Sequence, residues 1–163
     1  MLLHHRLLTY IRPFLKVQRY VSMKLGTIDQ GRLRVLIFHD IPQSQETAFQ
    51  KQLEWIQKNW TITSPEKFEK MISGENPVID DNVLITFDDG LISNRIVAEK
   101  ILNPMGIQAI FFVVSDFVEI KDRDEAHQFV AKHIVPGIRK EDVPKNWQNM
   151  QWSDLSALLE QGH

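Results

Sequence analysis

A chain of 163 residues with 43% hydrophobic and 25% charged residues has the length and make-up of one globular domain with a core of ordinary size. Its 19 basic and 21 acidic residues leave a net charge of −2, so nothing in the balance points to nucleic acid or an anionic membrane surface. There is no cysteine, which excludes disulfides and thiolate metal sites; any metal must be held by His, Asp or Glu.

Residues 1–30 read as an N-terminal extension with helical character, ending between Gly26 and Gly31. Its apolar residues are interrupted by Arg6, Arg12, Lys16 and Arg19. It therefore lacks the unbroken apolar stretch of roughly 7–15 residues that a secretory signal needs, and the roughly 18 of a membrane span. The favoured reading is an accessory helix packed on the domain. The alternative is an amphipathic helix that makes peripheral membrane contact through residues 1–20. The cytoplasm is the expected location.

Val35 to Phe38 is a short apolar run bounded by Gly31 and Pro42, and it predicts a buried strand. Phe49, Leu53, Ile56 and Trp60 recur at helical spacing and predict an amphipathic helix over 46–59. A second helix starts at Ser64 as N-cap with Pro65 at its first position. It carries Phe68, Met71 and Ile72 on one face and stops at Gly74. Val83 to Phe87 is the next buried strand. A helix over about 91–102 follows, with Ile92, Ile96, Val97 and Ile101 inward, and then a third apolar run, Ile107 to Val114. Strand, helix and strand with short turns form a βαβ unit, which implies parallel strands and a right-handed crossover. Residues 119–150 are polar, with Pro136, Gly137 and Pro144 as breakers, and read as an insertion or long loop with some helix. The last segment, WSDLSALLEQGH, predicts a helix with Ser153 as N-cap. Leu155, Leu158 and Leu159 share one face and Gly162 is its stop. Only about three strands are visible, fewer than an α/β layer or barrel uses to bury both sheet faces, so the fold looks unfinished.

The chemistry concentrates at Thr86-Phe87-Asp88-Asp89-Gly90, at the C-terminal end of a strand, where parallel α/β folds collect their active sites. Adjacent carboxylates on extended backbone point to opposite sides, but a turn at Gly90 would let both reach one cleft. One could then hold a cation while the other faces its water, a division that suits metal-assisted hydrolysis. The bland alternative is a helix start, with Asp capping the next helix and Gly supplying the bend.

On these residues the chain resembles the polysaccharide deacetylases with a NodB-homology domain, over roughly residues 33–163. VLIFHDI is similar to the family's opening strand and VLITFDDG to its first catalytic motif. ILNPMGIQAIFFVV is similar to a following strand, and WSDLSALLEQGH to the helix that leads into the second motif. The resemblance implies an incomplete, distorted (β/α) barrel of the NodB-homology type over residues 31–163, behind the helical extension. It implies removal of N-acetyl groups from an amino-sugar glycan or glycan precursor with a divalent metal, commonly zinc. Asp88 would be the general base, Asp89 a metal ligand, and His39 a residue lining the substrate cleft. A hydrogen-bonded histidine at a strand end is an equal alternative for His39.

The family's His-x-x-x-His motif, which supplies two further ligands, is missing. His163 matches only the lead-in histidine before it. Asn103-Pro104 replaces a more usual lysine-rich stretch and looks like a neutral loop change. His127 and His133 are six apart, about 600° around a helix, and so lie on different faces as surface histidines. The 163-residue chain is therefore expected to be inactive, whereas a complete homologue would be a metal-dependent deacetylase. A non-catalytic remnant that binds glycan or a partner chain is the second reading. A phosphate-handling α/β protein using the Asp pair for magnesium is the third and weakest, because no accompanying Lys or Ser/Thr motif is present.

Overall fold

The computed structural model describes residues 31–163. The predicted extension, including its amphipathic segment, lies outside the described residues.

Four parallel strands make the sheet: β1 (Leu33–Phe38), β2 (Thr61–Ile62), β3 (Asn82–Phe87) and β4 (Ala109–Phe111). β3 is central. β1 pairs with it along its whole length, from Leu33 opposite Asn82 to Phe38 opposite Phe87. The other edge of β3 is shared: β2 takes Asn82 and Val83, and β4 takes Ile85 to Phe87. Six consecutive residues of β3 are buried, as expected of a strand with neighbours on both edges.

Among the described residues there are six α-helices: α1 (Glu46–Asn59), α2 (Pro65–Ile72), α3 (Ile92–Val97), α4 (Ser115–Val118), α5 (Arg123–Phe129) and α6 (Trp152–Glu160). The predicted helix over 46–59 is observed with those bounds, and Phe49, Leu53 and Ile56 are buried. The Ser64 side chain caps α2 by accepting from the Lys67 N–H, with Pro65 at the first position. Gly74 follows at φ +82°, a conformation glycine adopts at little cost. α3 runs on through a wider turn, Ala98–Leu102, closed by the Asn103 N–H donating to the Ala98 carbonyl five residues back.

The main core lies between one face of the sheet and these helices. Val83, Ile85 and Phe87 of β3 meet Phe49, Leu53 and Ile56 of α1 and Val97 and Ile101 of the α3 segment. Phe87 stacks on Phe111 of β4, with centroids 5.0 Å apart, and Phe38 of β1 meets Phe49 edge-on at 5.0 Å.

Several expectations are corrected. β1 is not a buried strand: Val35 and Ile37 are 44% and 57% exposed. Both alternate with Leu36 and Phe38 and so point to the sheet face away from the main core, and in-register pairing puts them beside Leu84 and Thr86. Phe112 and Val114, expected in a strand over 107–114, lie past the end of β4 and are exposed. Ile72, Ile96 and Leu159 fall on the outer sides of their helices, and β2 was not foreseen. Gln151, not Ser153, is the N-cap of α6, and the Asp154 carboxylate accepts from the Gln151 N–H at 2.8 Å.

Residues 115–150 are more than a polar loop. Leu91, Phe117, Ala126, Val130 and Val143 form a second apolar cluster, and Phe117 stacks on Phe129 at 5.1 Å. His133 is exposed and lies against the Phe129 ring at 4.7 Å. His127 is half-buried, and its Nε2 has no hydrogen-bond partner, which departs from a simple surface histidine.

Candidate active site

β1 and β3 end side by side. The ladder continues one residue past the strands, because the Asp88 N–H donates to the Phe38 carbonyl at 2.9 Å. His39 and Asp88 therefore start from neighbouring strand ends, about 5 Å apart as backbone. Asp89 then takes φ +70°, the only non-glycine residue with positive φ among the described residues, and Gly90 follows at +76°. A side chain rarely adopts this left-handed region, and Asp is among the few that tolerate it. Two such residues in succession replace the alternation of a strand with a tight turn. A Cβ at Gly90 would also stand 3.2 Å from Val113 Cγ1, a tight contact that adds to the backbone reason for glycine.

Three contacts hold this turn. Asn94, fully buried, donates from Nδ2 to the Asp88 carbonyl at 3.1 Å. The Met150 N–H donates to the Gly90 carbonyl at 2.8 Å, and Leu91 bridges Asn149. Asn149 is itself fixed by Nδ2 donating to the Phe117 and Ile120 carbonyls. The 115–150 segment is thus clamped to the turn that carries the carboxylates. A second tie joins it to the end of β1: Asp40 Oδ2 accepts from Trp147 Nε1 at 2.8 Å, while Oδ1 is buried without a partner.

The bland reading of the Asp pair fails on geometry. The N-cap of α3 is Leu91 and no side chain caps the helix. Among the described residues neither carboxylate accepts a hydrogen bond, so both are uncommitted. Burial pushes the Asp89 carboxyl above the usual carboxylate range; His39 opposes that shift and the Asp88 charge adds to it. Among the described residues, however, no group of three or more His, Asp or Glu side chains converges closely enough to hold a metal ion. These residues alone do not fit a complete zinc site.

His163 is not free either. Its Nδ1 accepts from the Ala109 N–H at 3.1 Å and its Nε2 lies 2.9 Å from Asn103 Oδ1, which makes Nε2 the protonated nitrogen. Burial, with the Arg95 charge second, depresses its pKa. Asn103 also donates to Gln161 Oε1 at 2.8 Å, so the residue read as a neutral loop change docks the C-terminal end. Sequence reasoning missed Asn94, Asp40 and Trp147. The signal available for Asn94 was an amide inside an apolar helix, where its propensity is poor.

Several known proteins are similar to this chain in sequence or fold. No protein-family model matches the sequence. A Bacillus subtilis (strain 168) protein named "Putative polysaccharide deacetylase YxkH" is 24% identical over 154 residues, covering 85% of this chain and 55% of the relative. IcaB from Ammonifex degensii superposes with a TM-score of 0.61 at 23% identity, over 82% of this chain and 51% of that one. The BpsB deacetylase domain of Bordetella bronchiseptica gives 0.54 at 21% identity, over 81% and 51%. The Streptococcus pyogenes deacetylase PplD, solved with acetate, gives 0.52 at 19% identity, over 80% and 53%. The chain thus has a polysaccharide-deacetylase-like fold of the NodB type, and it spans about half the length of these proteins.

Proposed function

We propose that this domain is part of a hydrolase that removes N-acetyl groups from an amino-sugar glycan or glycan precursor. Asp88 acts as general base toward the attacking water. Asp89 is one ligand of a divalent metal, zinc by preference, whose other ligands lie outside the described residues. When bound, such a metal would supply polarisation of the acetamide carbonyl. His39 lines the substrate cleft beside the pair. The observation that carries the reading is the uncommitted Asp88–Asp89 pair, held in a left-handed turn at the end of the central strand of a deacetylase-like fold.

Two features of the site support these roles. A carboxylate with no hydrogen-bond partner in the protein is available to a water or a cation. A half-buried Asp89 whose charge is disfavoured gains most from an adjacent cation.

A second reading is a glycan-binding domain without catalysis, favoured by the lack of a converging ligand set among the described residues. Acetate release from N-acetylated chito-oligosaccharides separates the two. The protein purified from its source cells should release acetate in a chelator-sensitive way, and Asp88→Asn and Asp89→Asn should each abolish it. Glycan binding without acetate release would establish the second reading. Neither binding nor release would sink both. The 163-residue chain on its own is expected to release none.

A further inference from the structure

A cavity of about 320 Å³ lies between the loop after β1, the start of α1, the α3 segment and the end of the 115–150 segment. That volume is at the low end of small-molecule sites and suits one sugar ring. Its floor is apolar: Ile41, Ile92 and Ile96, the last 38% exposed. Its rim carries the carboxamides of Gln43 and Gln148, whose side chains have no partner among the described residues, and that of Asn146, held only by a long 3.4 Å contact to Asp40. Ser93 also lines it at 7% exposure, with a hydroxyl that has no partner.

Its charge is balanced. Lys100 Nζ donates to both Glu46 carboxylate oxygens, at 3.1 and 3.2 Å, so the wall offers no free charge to an ionic ligand. An apolar floor with neutral amides around it matches a ligand with one apolar face and several hydroxyl or acetamido groups at its edge. That is the chemistry of a neutral sugar ring. None of His39, Asp88 and Asp89 lines the cavity, but two of its lining residues follow them closely in the chain: Ile41 is two residues past His39 and Ile92 three past Asp89, which limits the Cα separations to about 7 and 11 Å.

We infer that this cavity is a glycan-binding subsite, which holds a neutral amino-sugar ring of the polymer beside the Asp88–Asp89 turn. The inference rests on the glycan reading above, but it needs no catalysis and no metal. It also assigns a role to the 115–150 segment, which supplies Asn146 and Gln148.

The test is a two-dimensional amide NMR titration of the 163-residue protein with a β-1,4-linked N-acetylglucosamine trisaccharide. Saturable shifts are expected at Ser93, Ile96, Lys100 and Gln148. Ile96→Glu, at a partly exposed position, should fold and bind about tenfold more weakly. Shifts confined to His39, Asp88 and Asp89 would overturn the subsite and leave the deacetylase reading standing. No shifts anywhere, or equal shifts with cyclohexanol as an apolar control, would also overturn it. An unchanged affinity in both Ile96→Glu and Gln148→Ala would do the same.

Discussion

Asn94→Ala removes the one side chain that binds the Asp88 carbonyl. The lost hydrogen bond is worth about 1 kcal/mol net, and the carbonyl left without a partner costs a further 1–3 kcal/mol where water cannot reach it. Against this, Asn94 Oδ1 is itself buried without a partner, and its removal returns about 1 kcal/mol. The balance is a destabilisation of about 2 kcal/mol. For a domain of this size that lowers the melting temperature by roughly 4–8 °C. Asn94→Asp keeps the shape but turns an acceptor toward an acceptor and buries a charge, so it should be worse than alanine. Urea unfolding followed by circular dichroism gives the midpoints, and the Asp89 Cα chemical shift reports whether the left-handed turn survives. An alanine variant within about 0.5 kcal/mol of wild type, or an aspartate variant equal to it, would refute the assignment of this bond as the brace of the turn.

Ser64→Ala should cost about 1 kcal/mol by removing the cap of α2, measured as a shifted urea midpoint with an unchanged slope. Trp147→Phe removes the Nε1 donor to a partly buried carboxylate and should cost about 1.5–3 kcal/mol; limited proteolysis should then cut within 115–150 before the rest of the chain. The docked His163 has a folded pKa below the 6.5 of a free histidine, so as pH falls the unfolded chain takes up its proton first. Its contribution is full above about pH 6.5 and is lost as pH drops toward the lower folded value. The wild type should therefore lose more stability between pH 8 and pH 5 than His163→Ala does, and equal losses would contradict the docking.

Much of the scaffold was legible because it obeys local rules. α1 follows from four apolar residues at helical spacing, the start of α2 from a serine followed by proline, and β3 from a short, mainly apolar run, Val83 to Phe87. The Asp pair was legible from its place after that run. What sequence could not give was non-local. An apolar run such as Val35 to Phe38 reads the same whether it is central or at an edge, and only pairing decides the exposure of Ile37. β2 is two residues long, too short for any periodicity. The second apolar cluster draws single residues from Leu91 to Val143, so no window of sequence contains it. The turn at Asp89 was also beyond reach, because a positive φ at a non-glycine residue is imposed by contacts such as Asn94 and Met150.

β3 touches every other strand, and this sets the order in which the domain can open. Its inner amides point alternately to the two edges, so each is released only when its own partner, β1 on one side or β2 or β4 on the other, separates, and they should be among the last to take up deuterium. The carboxylates are mounted on the end of that late-opening element. The loops that do not brace the Asp89 turn can breathe or be rewritten, by insertion or deletion, while the strand end from which Asp88 and Asp89 project stays fixed.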